Sequence, residues 1–509
     1  MPGAAIMNLL NLLRRSTEKF SARTALLAGD RSVSYGELWE VVTRLGVGLR
    51  RLGIVPGERV GLMLPNAPEF VQGYFGILAA HGTVVPLNVL YRGEEVRYIV
   101  EDAGVHRIIA ARAFLPVIQA AREKMSRPLQ VVLLDGASDG ADSGIIGGTD
   151  LLREIGETAA PGPDEVAVCL YTSGTTGRPK GALLSHQNLL SNIASFRQIA
   201  PCDERDRFLC VLPLFHSFGA TVLMLFPLDV GASIVLEPRF IPDHTLRVMA
   251  DRRVSILAAV PSMYALWTQL PPLSLDLSGV RFAISGGAPL PVEILHRFEE
   301  RYGVVIYEGY GLTEAAPVLT ENPVLGPRKV GSVGKPLPGI QLRVVDEAGR
   351  EVPVGEVGEI IARGANIMLG YLNRPDATAE VVKNGWLYTG DLGRRDADGY
   401  FYIVDRKKDL IIVGGLNVYP REVEEIIMAH PAVADAAVIG VPDPTRGEAP
   451  KAYVVLKSGL SCSRRDLLRF LRERLAPFKI PRELEFCPAL PRTISGKVLR
   501  HQLKPSLQG

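Results

Sequence analysis

Cysteine is scarce in this chain. Five residues (Cys169, Cys202, Cys210, Cys462 and Cys487) occur in 509, an odd number with no C-x-x-C pair, so a disulfide framework is not expected and a reducing compartment is. A bias of charge is missing as well. Lys and Arg total 57 against 55 Asp and Glu, a formal net charge of +2, too small to imply nucleic-acid binding. Long apolar runs are absent: the longest lies between Ser217 and Asp229, is interrupted by Pro227, and falls short of the ~18 residues a membrane helix needs. No basic cluster precedes the first apolar residues, so the start does not have the pattern of a secretion signal. No internal repeat or coiled-coil heptad is found. These absences predict a cytoplasmic protein with no integral membrane segment and no nucleic-acid partner, leaving peripheral membrane contact and a homodimer open.

What is present fits a globular enzyme-sized chain. Hydrophobic residues make up 47% and charged residues 22%, while 51 glycines and 37 prolines imply many ordered turns. Ser34 and Glu37 have capping-box spacing, followed by Leu38, Val41, Val42, Leu45, Leu49 and Leu52 at helical spacing until Gly53. An apolar run over 60–64, a helical stretch over 69–80 and a second run over 83–87 follow in a βαβ rhythm, which predicts a mostly parallel sheet. The Gly/Ser/Asp-rich stretch 135–150 has the composition of a surface loop. The expected fold is α/β, with a large N-terminal domain (1–405) of mostly parallel sheets. A smaller, mobile α+β domain (406–509) follows, with a helix after Pro420, strands near 434–440 and 452–456, and a helix near 466–475. That second part carries 18 Lys and Arg against 11 Asp and Glu; a basic lid over an acidic body would suit a phosphorylated co-substrate, and chance surface charge explains the count equally.

Five short segments carry the chemistry. Tyr171-Thr172-Ser173-Gly174-Thr175-Thr176-Gly177-Arg178-Pro179-Lys180-Gly181 follows the apolar run 166–170 and offers hydroxyls, backbone N–H groups and one cation to phosphate oxygens. It is not a Walker A loop, because Pro179 and Gly181 stand where that pattern needs Gly and Ser/Thr; taken alone, a flexible connector has the same composition. Ser285-Gly286-Gly287-Ala288-Pro289-Leu290 lies between a strand and a helix, where glycines let a planar ligand reach the backbone or simply make a turn. Tyr307-Glu308-Gly309-Tyr310-Gly311-Leu312-Thr313-Glu314 fails as a dinucleotide fingerprint, since Glu314 takes the place of the third glycine. It supplies instead an aromatic face at Tyr310, for a base or for the core, and a carboxylate for magnesium at Glu314. Asp391 in Trp386-Leu387-Tyr388-Thr389-Gly390-Asp391-Leu392 suits a ribose hydroxyl or a turn cap, and Lys497 stands just beyond a glycine turn in Pro491 to Arg500.

In this order the segments resemble the adenylate-forming superfamily of acyl-CoA synthetases, luciferases and peptide-synthetase adenylation domains. The similarity runs nearly end to end. Within that group the chain most resembles bacterial fatty-acid–CoA ligases, through residues 385–391, 405–412 and Asn417-Val418-Tyr419-Pro420. The resemblance implies an ATP-dependent ligase that converts a fatty, apolar carboxylic acid to acyl-AMP with release of pyrophosphate and then passes the acyl group to coenzyme A. Lys497 would bridge carboxylate and phosphate. Thr172, Ser173, Gly174, Thr175, Thr176, Gly177 and Lys180 would hold the phosphates, and Glu314 with Thr175 or Thr176 would fix Mg²⁺. Gly287, Ala288, Glu308, Gly309, Tyr310, Gly311 and Thr313 would frame the adenine side, and Asp391 with Arg406 the ribose.

In the same family the small domain turns about a hinge, here Lys408, after the first half-reaction. Gly414 and Gly415 match the stretch along the pantetheine tunnel. Pro213-Leu214-Phe215-His216-Ser217-Phe218-Gly219 matches the acyl segment, with His216 and Phe215 gating entry and Phe218, Gly286 and Val318, together with Met263 and Tyr264, along the tunnel or in the core. Plant coumarate ligases and luciferases carry a lysine where this chain has Ile412, so its role in the second half-reaction is not transferable. Arg281 offers a cation to a second carboxylate, though an exposed strand-end arginine is the commoner explanation. The alternatives are a dicarboxylate of the malonate kind or an aryl acid as substrate, and luciferase-like oxidation of the adenylate as a different chemistry. Loading of a fused carrier is disfavoured by the lack of a Gly-Gly-x-Ser motif.

Overall fold

The computed structural model describes residues 8–136, 144–156, 158, 161–172, 178–414, 416–443, 445–493 and 498–503. The capping box forms as the spacing predicts. Glu37 N donates to Ser34 Oγ and Ser34 N to the Glu37 carboxylate at 2.7 Å, opening the helix Tyr35–Arg51. That helix packs on Pro68–Ala79 so closely that a Cβ on Gly46 would sit 2.5 Å from Ala79 Cβ. The βαβ rhythm is borne out: Arg59–Met63 pairs in parallel with Thr83–Pro86 and with Arg107–Ala110.

Around that unit an eight-stranded sheet runs in the order 370–371, 180–185, 166–172, 83–86, 59–63, 107–110, 130–133, 145–147. A nine-stranded sheet has a parallel centre (233–236, 207–210, 256–259, 282–285, 306–311), bounded by antiparallel pairs at each end. One hydrophobic core joins the two, from Leu9 to Phe401. The stretch 135–150 is not only a surface loop: Ile145–Gly147 is the edge strand of the eight-stranded sheet, and a short helix follows. Its glycines hid a strand of three residues, too short to show alternation. Residues 137–143 lie outside the described residues.

Residues 341–406 build an antiparallel sheet, in which Trp386–Arg395 pairs with Phe401–Arg406. From Ile411 onward a separate sheet (416–418, 411–413, 447–456, 433–443, with 483–486) carries its own core around Val423, Ile427, Leu467 and Leu471. The α/β class, with a large N-terminal part and a smaller C-terminal one, is thus as the sequence implies. Among the described residues, no helix is long and apolar enough to cross a membrane.

Candidate active site

Strand 166–172 returns antiparallel as 180–185, so Thr172 and Lys180 are cross-strand partners on either side of segment 173–179. The strand Ile306–Gly311 of the other sheet runs into a short turn over Thr313–Ala315 that carries Glu314. The two meet at one carboxylate. Glu314 Oε1 accepts from the Tyr371 hydroxyl at 2.9 Å and from Thr172 Oγ1 at 3.5 Å, the long limit of a hydrogen bond. Lys180 Nζ stands 5.4 Å from the centre of the Tyr371 ring, in cation–π range. Tyr371 is the residue the sequence reading missed here. Its two-residue strand pairs with Leu183 and Ala182, far away in sequence, and nothing local marks it. Burial and the Glu314 carboxylate push its phenol up, which keeps it a donor.

Ser173, Gly174, Thr175, Thr176, Gly177, Gly415 and Lys497 lie outside the described residues; Arg492 and Val498, flanking Lys497, form an antiparallel bridge. Glu314 is therefore the one described residue of the expected metal site, and among the described residues no three His, Cys, Asp or Glu side chains cluster around a metal position. A single carboxylate beside hydroxyls is a hard oxygen donor set, which suits a magnesium ion held mainly by triphosphate and water.

The expected nucleotide side is built on close backbone approach. A Cβ on Gly311 would lie 1.9 Å from Pro317 O, and one on Gly309 2.3 Å from Glu321 Oε2, so both glycines are dictated by the returning strand Val318–Glu321. Gly287, just after the strand Phe282–Ser285, has φ +82°, which favours glycine. The Tyr310 hydroxyl donates to Asp391 Oδ2 at 2.6 Å, while Arg406 Nε lies 2.8 Å from Asp391 Oδ1. Asp391 and Arg406 are cross-strand neighbours, and the aspartate is 3% exposed. Each carboxylate oxygen keeps a lone pair for a further donor.

Glu308 is buried, accepts from Leu290 N at 3.1 Å, and is pushed by burial up to about 7. Burial and Glu308 also raise the neighbouring Glu321, whose Oε1 has no hydrogen-bond partner among the described residues.

The expected acyl segment lies against this motif. Ser217 Oγ is 3.1 Å from Thr313 Oγ1, and His216 caps the short helix Ser217–Ala220, its Nδ1 accepting from Phe218 N at 3.3 Å. The Phe218 ring comes within 3.3 Å of where a Gly286 Cβ would stand, so the missing side chain makes room for the ring. Val318 is buried, its N–H and C=O both held by Asn192.

Two candidates are placed elsewhere. Tyr264 belongs to an aromatic core with Trp267 and Phe298 and donates to Ile284 O, so it is a packing residue. Arg281 is held by Asp206: Nη1 reaches both Asp206 oxygens at 2.7 and 2.8 Å, and Nη2 donates to Pro201 O, so its charge is already paired within the protein.

Beyond Arg406, Lys408 is exposed in the turn Lys407–Asp409. Asp405 Oδ2 accepts from Arg421 N at 2.8 Å, and Arg421 Nη1 donates to Ile403 O at 2.6 Å, tying the first helix of the small part to strand 401–406. Gly414, at φ +56°, sits in the hairpin between 411–413 and 416–418, beside a half-exposed Ile412.

Known proteins share this architecture. Residues 13–372 match the family described as AMP-binding enzyme, and residues 422–497 the AMP-binding enzyme C-terminal domain. A long-chain-fatty-acid–CoA ligase of Bacillus subtilis (strain 168) is 36% identical over 526 residues, covering 97% of this chain and 94% of that protein. A feruloyl-CoA synthase of Amycolatopsis sp is 38% identical over 483 residues, covering 94% and 95%. The crystal structure of the anthranilate CoA ligase AuaEII with anthranoyl-AMP superposes with a TM-score of 0.91 at 32% identity, covering 97% of this chain and 96% of that one.

Proposed function

The chain belongs to the AMP-binding enzyme family and is an AMP-forming acid–CoA ligase, and from that premise we propose that its acid is a fatty, apolar one. The observation that carries the proposal is the Ser217–Thr313 contact, which brings the segment of Phe215 and Phe218 to the Tyr310–Glu314 motif, where Gly286 faces the Phe218 ring and Val318 pairs with Gly311, all without charge. The fatty-acid ligase of Bacillus subtilis, alike over nearly the whole chain, supports the same choice. An aryl acid is the second reading, favoured by the feruloyl-CoA synthase at similar identity. A dicarboxylate loses its candidate partner, since Arg281 is committed to Asp206.

On this reading the mechanism has two steps. A carboxylate is a poor acyl donor because oxide would have to leave, and making it an anhydride of AMP cures that. As the carboxylate oxygen attacks the α-phosphorus, the P–O bond to pyrophosphate breaks and negative oxygens crowd together, so the site's work is positioning and cationic stabilisation. Thr172 to Lys180 hold the β- and γ-phosphates. Gly287 to Leu290 and Glu308 to Tyr310 frame the adenine, Asp391 accepts from the ribose hydroxyls, and Arg406 and Tyr310 orient that carboxylate. His216 and Phe215 stand at the entry for the acid. Glu314, with Thr175 or Thr176, would hold a magnesium ion, whose charge would offset that of the triphosphate.

Lys497 reaches the carboxylate and the α-phosphate in the first step. The boundary between the two domains falls at 405/406, with Lys408 as the hinge. After pyrophosphate leaves, the small domain turns, Lys497 withdraws and Gly414–Gly415 present a narrow passage to the CoA thiol. The thiolate sulfur then attacks the acyl carbon and AMP departs.

The experiment is a panel of C2–C18 acids, malonate, benzoate and ferulate, read by pyrophosphate release with and without CoA. Saturable turnover that favours C8–C18 acids supports the proposal, and preference for ferulate or malonate refutes it. Light emission or oxygen uptake with ATP and acid alone would move the chain to adenylate oxidation.

A further inference from the structure

The helix Gly93–Asp102 belongs to none of the segments so far given a role, yet both flanks of the phosphate-binding stretch end on it. On the near side, the Tyr171 hydroxyl donates to Asp102 Oδ2 at 2.7 Å. On the far side, the Tyr98 hydroxyl donates to Pro179 O at 2.9 Å, with the Arg178 guanidinium over the Tyr98 ring at 5.7 Å. Tyr98 and Asp102 are four residues apart and therefore share one helix face. Asp102 has a second partner: its Oδ1 takes Arg374 Nη2 at 2.6 Å. Arg374 lies three residues after Tyr371, whose hydroxyl holds Glu314. The Asp102 carboxylate, 12% exposed, thus joins the near flank of the phosphate segment to the chain that carries the Glu314 partner.

We propose that Tyr98 and Asp102 are positioning residues for the triphosphate, one helix face fixing both ends of the phosphate-binding segment and its distance from Glu314. The proposal rests on the assignment of Thr172 to Lys180 to the phosphates. The physical reason is entropic. Residues 173–177 are glycine, serine and threonine only, the composition with the most backbone freedom to lose when donors must converge on one anion. Anchored flanks remove part of that loss before ATP arrives. Neither residue belongs to the segments assigned to the acid or CoA. Their influence is confined to the half-reaction in which β- and γ-phosphates are present.

Tyr98→Phe and Tyr171→Phe keep each ring and remove only the hydroxyl. ATP–pyrophosphate exchange is measured with an accepted acid, and, separately, thioester formation from supplied acyl-adenylate and CoA. Each variant is expected to raise the KM for ATP about five-fold, the worth of one net hydrogen bond, and the double variant about 25-fold if the two act independently. The KM for the acid and the rate of thioester formation from the adenylate stay at wild-type values. A double variant with unchanged KM for ATP overturns the proposal, as does an equal loss in both half-reactions, which is what a merely structural role produces. Should the double variant fail to fold, the single variants decide by the same split. If the wild-type protein shows no ATP–pyrophosphate exchange with any acid, the assignment to the phosphates itself fails.

Discussion

Glu308 is a carboxylic acid with about 4% of its surface exposed, in the middle of the motif assigned to the adenine side. Burial moves it from the ordinary 4.5 to about 7, against the pull of the Leu290 N–H and the Arg421 guanidinium and with the push of Glu425. Between those two values the folded side chain keeps a proton that the unfolded chain has released. Unfolding free energy therefore falls as pH rises from 4.5 to 7, and above that window the deficit is constant at about 3 kcal/mol. Below 4.5 both states are protonated and the term vanishes. Glu308→Gln keeps an acceptor for Leu290 N and removes the ionisation.

The variant should match the wild type near pH 4.5 and exceed it by about 3 kcal/mol at pH 8, apart from a constant offset for the new amide. Loss of the Glu308 charge also relieves Glu321, which adds to the gap with the same sign. Urea unfolding followed by tryptophan fluorescence at pH 5, 6, 7 and 8 measures the difference between the two proteins. A gap of the same size at pH 5 and pH 8 would show that Glu308 is not held protonated by burial, and the reasoning would fail.

Two further outcomes follow from the site. Lys497→Ala should lower adenylate formation by at least 100-fold, the scale of removing one transition-state donor, while thioester formation from supplied acyl-adenylate is retained; the two half-reactions assayed separately check it. Gly286→Ala places a methyl group 3.3 Å from the Phe218 ring, so the ring must shift; the KM for the acid should rise several-fold with the KM for ATP unchanged, as steady-state kinetics with each substrate varied would show.

The parts of the site that could be foreseen from sequence are those whose partners lie within one short segment. Tyr310, Gly311 and Glu314 stand together because a strand and a turn carry them in register, and Asp391 meets Arg406 because a hairpin pairs them. Tyr371, Tyr98, Asp102 and Arg374 were not foreseen. Each is an unremarkable side chain whose partner is tens to hundreds of residues away, as with Arg374 and Asp102, so only the folded sheet brings them together. For Arg281 the commoner reading of a strand-end arginine holds, but its partner Asp206, on another loop, is not recognisable from sequence. The sheet-edge strand Ile145–Gly147 was hidden by glycine-rich composition, because an edge of three residues is specified by its neighbour Gln130–Leu133 more than by its own sequence.

The pairing of Asp391 with Arg406 has a mechanical consequence. The Asp391 carboxylate holds the last residue of the strand Phe401–Arg406, two positions before Lys408. Under the proposed hinge at Lys408, a turn would begin just beyond this ion pair. Such a turn would also have to release the two Arg421 bonds to Asp405 and Ile403, which hold the next helix to the same strand.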